Sequence, residues 1–81
     1  MKTIDIIIKI FKNLGYEVTP NTKIRSLKNL GMMNVGLLGD EIEYEFGIII
    51  TVADLKIMFK GTVEEMANHL DKKWISGRSL K

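Results

Sequence analysis

VTPNTKIRSLKNLGMMNVGLLGDEIEYEF, residues 18–46, contains a polar loop, an apolar turn and the beginning of an amphipathic segment in one continuous stretch. Pro20 keeps the residue before it in an extended conformation. A connection of this length is usually ordered by its own side chains or has a function. The side chains expected to anchor it are Ile24, Leu27 and Leu30. The stretch therefore predicts an ordered loop that leads into a helix.

The residues before the loop form a first periodic segment, from Thr3 to about Leu14. Thr3 suits the N-cap of a helix, and Gly15 suits the position after its C-terminus. The run Ile6–Ile8 is also compatible with a strand, because β-branched side chains lose rotamer freedom in a helix. The spacing and the length favour a helix. Its apolar face consists of Ile4, Ile7, Ile8, Phe11 and Leu14.

The second helix is predicted from about Val35 to Glu45, with Gly47 at its end. Gly36 and Gly39 weaken its first turns, each by about 0.5–1 kcal/mol relative to alanine. The residues expected to point inward are Val35, Leu38, Ile42 and Phe46. The acids expected to crowd the exposed side are Asp40, Glu41, Glu43 and Glu45. Taken alone, such acids are a solvated helix face.

Two capping boxes predict the last two helices. Thr51 with Asp54 begins a short third helix over about residues 52–59, and Thr62 with Glu65 begins the last helix. The apolar face of the last helix consists of Val63, Met66, Ala67, Leu70 and Trp74. These segments predict an all-helical chain.

An 81-residue chain with 46% hydrophobic and 27% charged residues predicts one small globular domain, which we place at residues 1–75, before a mobile basic tail at 76–81. The chain has no cysteine, which excludes disulfides and cysteine-based metal sites. Its longest apolar run, residues 48–52, is too short to cross a bilayer, so we expect a soluble, cytoplasmic protein.

The formal charge of +2 is distributed unevenly along the chain. Lysine, arginine and the acids sum to +4 over residues 1–39, to −6 over residues 40–71 and to +4 over residues 72–81. The basic residues are scattered, with few aromatic residues among them, which argues against nucleic-acid binding. Neither nucleic acid nor a membrane is expected as a partner.

The opening stretch resembles the acyl and peptidyl carrier proteins, whose first loop reads roughly T-P-D/E-T/S, an apolar residue, then L-G-x-D-S-L at the head of the second helix. The matching residues, which align without a gap, are Thr19, Pro20, Asn21, Thr22, Ile24, Leu30 and Gly31. The ending TVEEMANHL, residues 62–70, is similar to the family's final helix. The resemblance covers about residues 3–75. It implies a four-helix bundle with a long loop between helices 1 and 2 and a short helix 3.

This register places Met33, Asn34 and Val35 where the family has Asp, the Ser that carries 4'-phosphopantetheine, and Leu. Asparagine has no hydroxyl to which a transferase could attach the arm. The distance from Asn34 to Phe46 is two residues shorter than the family's usual spacing, and an alternative register places Met32 at the serine position. Neither register supplies a serine, so no cofactor is expected. The three serines of the chain lie elsewhere, at Ser26, Ser76 and Ser79.

The resemblance implies that the chain docks through its acidic second helix on synthases, transferases or ligases of fatty-acid, polyketide or non-ribosomal peptide synthesis. We expect the chain to be a monomer. A working carrier of acyl, aminoacyl or peptidyl groups is the second interpretation. An unrelated interaction domain with strands at residues 4–8 or 48–52 is the third.

Other residue types give no catalytic motif. The chain lacks a recognisable paired-carboxylate motif, a glycine-rich phosphate loop and a nucleophile elbow, so no enzyme activity is expected. His69 could form a weak metal pair with Glu65, but a surface or edge histidine is the simpler interpretation. Four methionines either line an adaptable apolar pocket or fill irregular core space. They are Met32, Met33, Met58 and Met66.

Overall fold

The structure, a computed structural model, describes residues 2–28 and 30–75, with side chains up to residue 73. Within these residues four α-helices follow one another: α1 (Thr3–Asn13), α2 (Met32–Phe46), α3 (Val52–Met58) and α4 (Val63–Leu70). A 3₁₀ turn at Ile24–Ser26 interrupts the loop before α2, and a π-helical turn at Asp71–Ile75 continues α4. Among the described residues the only β-pairing is an isolated bridge. The prediction of an all-α chain is confirmed, while the predicted tail and the Trp74 side chain lie outside the described part.

The ends of α1 follow from local chemistry. Its N-cap is Lys2 rather than the predicted Thr3. The Thr3 hydroxyl instead donates to Asp71 Oδ1 at 2.6 Å and so connects α1 to the end of α4. Gly15 follows the helix with φ +93°, a conformation that glycine adopts without strain. Because Ile6–Ile8 lie inside this helix, the strand interpretation of residues 4–8 is wrong.

The core lies where α1 packs against both α2 and α4. Ile7, Ile10 and Phe11 of α1 are buried, whereas Ile4 and Ile8 are only partly buried. The predicted face of α1 omitted Ile10, which is buried because α1 has helices on two sides and needs a wider apolar stripe than a single contact requires. The other buried apolar residues are Ile24, Leu38, Ile42, Ile48, Met58, Val63, Met66, Ala67 and Leu70.

The long loop is ordered by its bonds to the beginning of α4. The carbonyls of Pro20 and Thr22 accept the backbone N–H groups of Glu64 and Val63, both at 3.0 Å. The first N–H groups of a helix have no partner within it, so the loop satisfies two donors of α4. Ile24 is fully buried, and its N–H donates to the carbonyl of Gly61 at 3.0 Å. Of the predicted anchors, Ile24 is thus confirmed in the core, and Leu27 and Leu30 are half-buried.

Helix α2 begins three residues before the predicted Val35 and ends at Gly47, which adopts φ +63°. Gly39 is buried, and a Cβ atom at this position would lie 3.5 Å from Cδ2 of Leu55, so α2 approaches α3 closely here. Residues 48–50 are a connection without strand pairing, which also removes the strand interpretation of residues 48–52.

Replacing Gly36 with alanine should raise the free energy of unfolding by about 0.5–1 kcal/mol, because alanine favours a helix interior. Gly36 is exposed within α2, and nothing lies within 4 Å of the added Cβ. Urea unfolding followed by circular dichroism measures the change. Gly47→Ala is the matched control and should lower stability, since its φ is +63°. A Gly36→Ala variant less stable than the wild type would contradict the helix assignment at this position.

Candidate functional site

One side of α2 forms an exposed surface that combines large apolar residues with acids. We call it the α2 face and define it by Met33, Leu37, Asp40, Glu41 and Tyr44. The positions recur every three or four residues, so their side chains lie along one side of the helix. Met33 is 81% exposed, Leu37 43% and Tyr44 83%, and both acids are exposed. Apolar side chains of this size are accessible to a partner without rearrangement of the fold.

The opposite side of α2 holds the helix in this orientation. Leu38 and Ile42 are fully buried in the core, and Val35 and Phe46 are half-buried on the same side. Leu38, Ile42 and Phe46 are therefore confirmed as inward residues, and Val35 lies on the same side but is only half-buried. Rotating the helix to hide Met33 and Tyr44 would expose Leu38 and Ile42, so the α2 face is fixed by the core.

The methionines divide between core and surface. Met58 and Met66 are buried, as the core-filling interpretation requires. Met32 is 92% exposed and Met33 is exposed as well, so a core position for these two residues is wrong. The reason is that α2 begins earlier than the pattern predicts, and its first turn extends beyond the packed part of the helix.

The four acids of α2 do not share one environment. Asp40, Glu41 and Glu45 are exposed, as predicted. Glu43 is half-buried, and its Oε2 accepts the backbone N–H of Ile50 at 2.7 Å. Its carbonyl also accepts the N–H of Ile48 at 3.2 Å. The expectation that Glu43 lies on the exposed side is therefore wrong, because its carboxylate fixes the connection between α2 and α3.

The two positions considered for the missing serine differ in their surroundings. Asn34 is the third residue of α2, is half-buried, and its Nδ2 donates to the Tyr16 hydroxyl at 2.8 Å. Met32 is the first residue of α2 and projects into solvent. Asn34 thus joins α2 to the segment after α1, whereas Met32 occupies an accessible helix start.

A buried carboxylate, Asp54, is the polar feature that the sequence did not reveal. Asp54 is 2% exposed and lies in the first turn of α3. Oδ2 accepts the Thr51 backbone N–H at 3.2 Å, and Thr51 Oγ1 accepts the Asp54 backbone N–H at 3.2 Å, which confirms the predicted capping box. Oδ2 also accepts the Thr51 hydroxyl at 2.8 Å. Oδ1 lies 2.5 Å from Lys73 Nζ and 3.3 Å from His69 Nε2. The capping pattern predicted the bonds to Thr51, but nothing in the local sequence indicated the residues from the end of α4.

These bonds have a clear electrostatic consequence. The Lys73 ammonium, followed by the Thr51 bonds and His69, holds the pKa of Asp54 well below its ordinary value of 3.8, although burial alone would raise it. Asp54 is therefore a charged anchor between α3 and the end of α4. Since each oxygen already has protein partners, the arrangement is structural.

Neither a metal centre nor a membrane segment is found in the described part of the chain. No group of three or more histidine, cysteine, aspartate or glutamate side chains could hold a metal ion there. His69, considered for a metal pair with Glu65, instead lies beside Asp54. Of the helices described, none has the length and apolarity to cross a membrane.

Comparison of the chain with protein-family models, with curated proteins and with solved structures finds no significant match.

Proposed function

We propose that this chain is an acyl-carrier-protein-like domain that docks on carrier-dependent biosynthetic enzymes through its α2 face and carries no phosphopantetheine arm. The observation that supports this proposal best is the composition of that face, where Met33, Leu37 and Tyr44 are exposed beside Asp40 and Glu41. The loop and last-helix resemblance supplies the class of partner.

The α2 face has the properties of a docking surface. Contiguous exposed apolar side chains on a small protein commonly mark an interaction site. Burial of Met33, Leu37 and Tyr44 by a partner would supply affinity, and aromatic residues are frequent among the strongest contacts of interfaces. The carboxylates of Asp40 and Glu41 would favour a basic partner surface and increase its rate of encounter.

The beginning of α2 supports the absence of the arm. A carrier needs a hydroxyl at an accessible helix start, and Met32 occupies that place in this structure. Asn34 is less suited to it because its amide bonds to Tyr16. We therefore favour the register that places Met32 at the position of the family's serine. In both registers the reacting oxygen is absent, and the domain would act as competitor, scaffold or regulator.

Intact mass after incubation with coenzyme A and a broad-specificity phosphopantetheinyl transferase tests this assignment. The wild type should gain no mass, and Met32→Ser should gain one arm, whereas Asn34→Ser should not. A gain on the wild type would restore the working-carrier interpretation. Gain on Asn34→Ser alone would reverse the choice of register, and no gain on either folded variant would count against the carrier-like shape.

Competition with a serine-bearing carrier protein for the same transferase tests docking. The wild type should slow loading of that carrier, and Asp40→Lys with Glu41→Lys should weaken the inhibition by about tenfold, equivalent to about 1.4 kcal/mol. Glu17→Lys with Glu64→Lys is the matched control, because both residues are exposed off the α2 face and the change in net charge is identical. Equal inhibition by the two variants, or none by the wild type, would refute docking through the α2 face.

A further inference from the structure

A second surface lies beside the 3₁₀ turn, the beginning of α2 and the end of α3. It is a groove of about 760 Å³. Ile24, Val35 and Phe59 supply apolar lining, and Arg25, Lys56 and Lys60 supply three cations. No aspartate or glutamate lines it within the described part of the chain. The groove therefore combines an apolar lining with charge of one sign.

Two of the groove cations come from a part of the sequence that is otherwise acidic. Residues 40–71 contain eight acids and only two lysines, and both lysines, Lys56 and Lys60, line the groove. The ion pairs among the described residues join Asp54 to His69 and Lys73 and leave the groove cations out. Lys56 lies on α3 and Lys60 lies two residues beyond its end at Met58, so two like charges line the same groove and repel each other. An anionic ligand would relieve this repulsion.

We infer that this groove binds an acidic segment of a partner protein in which carboxylates alternate with large apolar side chains. Lys56 on α3 and Lys60 in the turn after it both line the groove. In an extended segment, alternate residues lie about 6.6 Å apart and point to the same side. Two alternate carboxylates can thus meet Lys56 and Lys60, and apolar side chains of the same segment can contact Ile24, Val35 or Phe59. Arg25 offers a third carboxylate a bidentate partner.

The groove is separate from the α2 face. Val35 lies on the inward side of α2 together with Leu38 and Ile42, opposite Met33 and Tyr44. The two surfaces also have opposite charge, since Asp40 and Glu41 belong to one and Lys56 and Lys60 to the other. The groove can therefore hold its segment whether or not the α2 face docks on an enzyme, and the inference does not depend on the proposed function.

Titration of the ¹⁵N-labelled chain with a synthetic six-residue peptide of alternating glutamate and leucine tests the inference by nuclear magnetic resonance. We expect saturable shifts of the Ile24, Val35 and Phe59 amides at submillimolar to millimolar peptide. The same peptide with glutamine in place of glutamate should bind at least about tenfold more weakly, and added salt should weaken the glutamate peptide.

Two charge-reversal variants separate the groove from general electrostatic attraction. Lys56→Glu with Lys60→Glu should lower the affinity by about tenfold or more. Both lysines are exposed, so the fold should remain. Lys9→Glu with Lys12→Glu changes the net charge equally on α1 and should retain the affinity within about twofold. Circular dichroism checks that both variants are folded.

Several results would overturn the inference. These are absence of saturable shifts in the wild type, equal binding of the glutamine peptide, or equal loss in the two variants. Decanoate is titrated in parallel, and groove shifts with decanoate but not with the peptide would assign the site to a small amphiphile instead. Sedimentation velocity of the chain alone tests whether a second copy occupies the groove. Self-association of the wild type that disappears with Lys56→Glu and Lys60→Glu would identify that copy as the occupant and would also overturn the inference.

Discussion

Replacing Phe11 with alanine should lower the free energy of unfolding by about 3–5 kcal/mol. Phe11 is fully buried in α1, the helix that packs against both α2 and α4. Its ring meets the Tyr16 ring edge-on, with centroids 6.3 Å apart. Tyr16 in turn accepts the Asn34 amide of α2. Truncation of Phe11 would therefore leave a cavity and also remove the support of the Tyr16 ring.

Such a loss is large for a chain of this size, because small domains have about 5–15 kcal/mol of stability in total. Urea unfolding followed by far-ultraviolet circular dichroism measures it. Tyr44→Ala is the matched control: the ring is 83% exposed, and its removal should change stability by no more than about 0.5 kcal/mol. Similar unfolding midpoints for the two variants would contradict the position of Phe11 in the core.

Local signals in the sequence predicted the helices well. The capping boxes at Thr51 and Thr62 fixed the beginnings of α3 and α4, and both are present with the expected bonds. Gly15 and Gly47 follow α1 and α2 with positive φ. These features could be predicted because each depends on residues within one turn of the helix end.

The features that the sequence did not predict either lack a local motif or depend on distant residues. The earlier beginning of α2 has no side-chain cap, since its N-cap is Gly31, so no motif marked it. The positions of Met33 and Tyr44 opposite Leu38 and Ile42 indicate that both are exposed. The apolar character of methionine favours a core position instead, and this preference gave the wrong prediction for Met33. Asp54 and Lys73 are 19 positions apart, and their contact depends on how α3 packs against the end of α4. Periodicity within one helix carries no information about such a pairing.

Replacing Asp54 with alanine should lower the free energy of unfolding at neutral pH by about 2–4 kcal/mol. The change removes the carboxylate that accepts the Thr51 backbone N–H and hydroxyl, and it leaves His69 without this acceptor. It also removes the carboxylate that holds Lys73 against α3. Asp40→Ala is the control, because Asp40 is exposed on α2 and should change stability by no more than about 0.5 kcal/mol. Equal losses for the two variants would show that the buried carboxylate does not connect α3 to α4.

The pH dependence of stability gives a sharper test of the same carboxylate. The pKa of Asp54 in the folded chain lies below its ordinary value of 3.8, chiefly because of Lys73, so the unfolded chain takes up a proton at higher pH than the folded chain. The stabilisation by this group is therefore fully present above about pH 5 and is lost as the pH falls below the ordinary value toward the folded pKa. Asp54→Asn has no such group and does not lose this stabilisation. The difference in the free energy of unfolding between the wild type and Asp54→Asn should therefore become smaller as the pH decreases from 7 to 2. A difference between the two proteins that stays constant over this range would mean that the contact with Lys73 contributes nothing through charge.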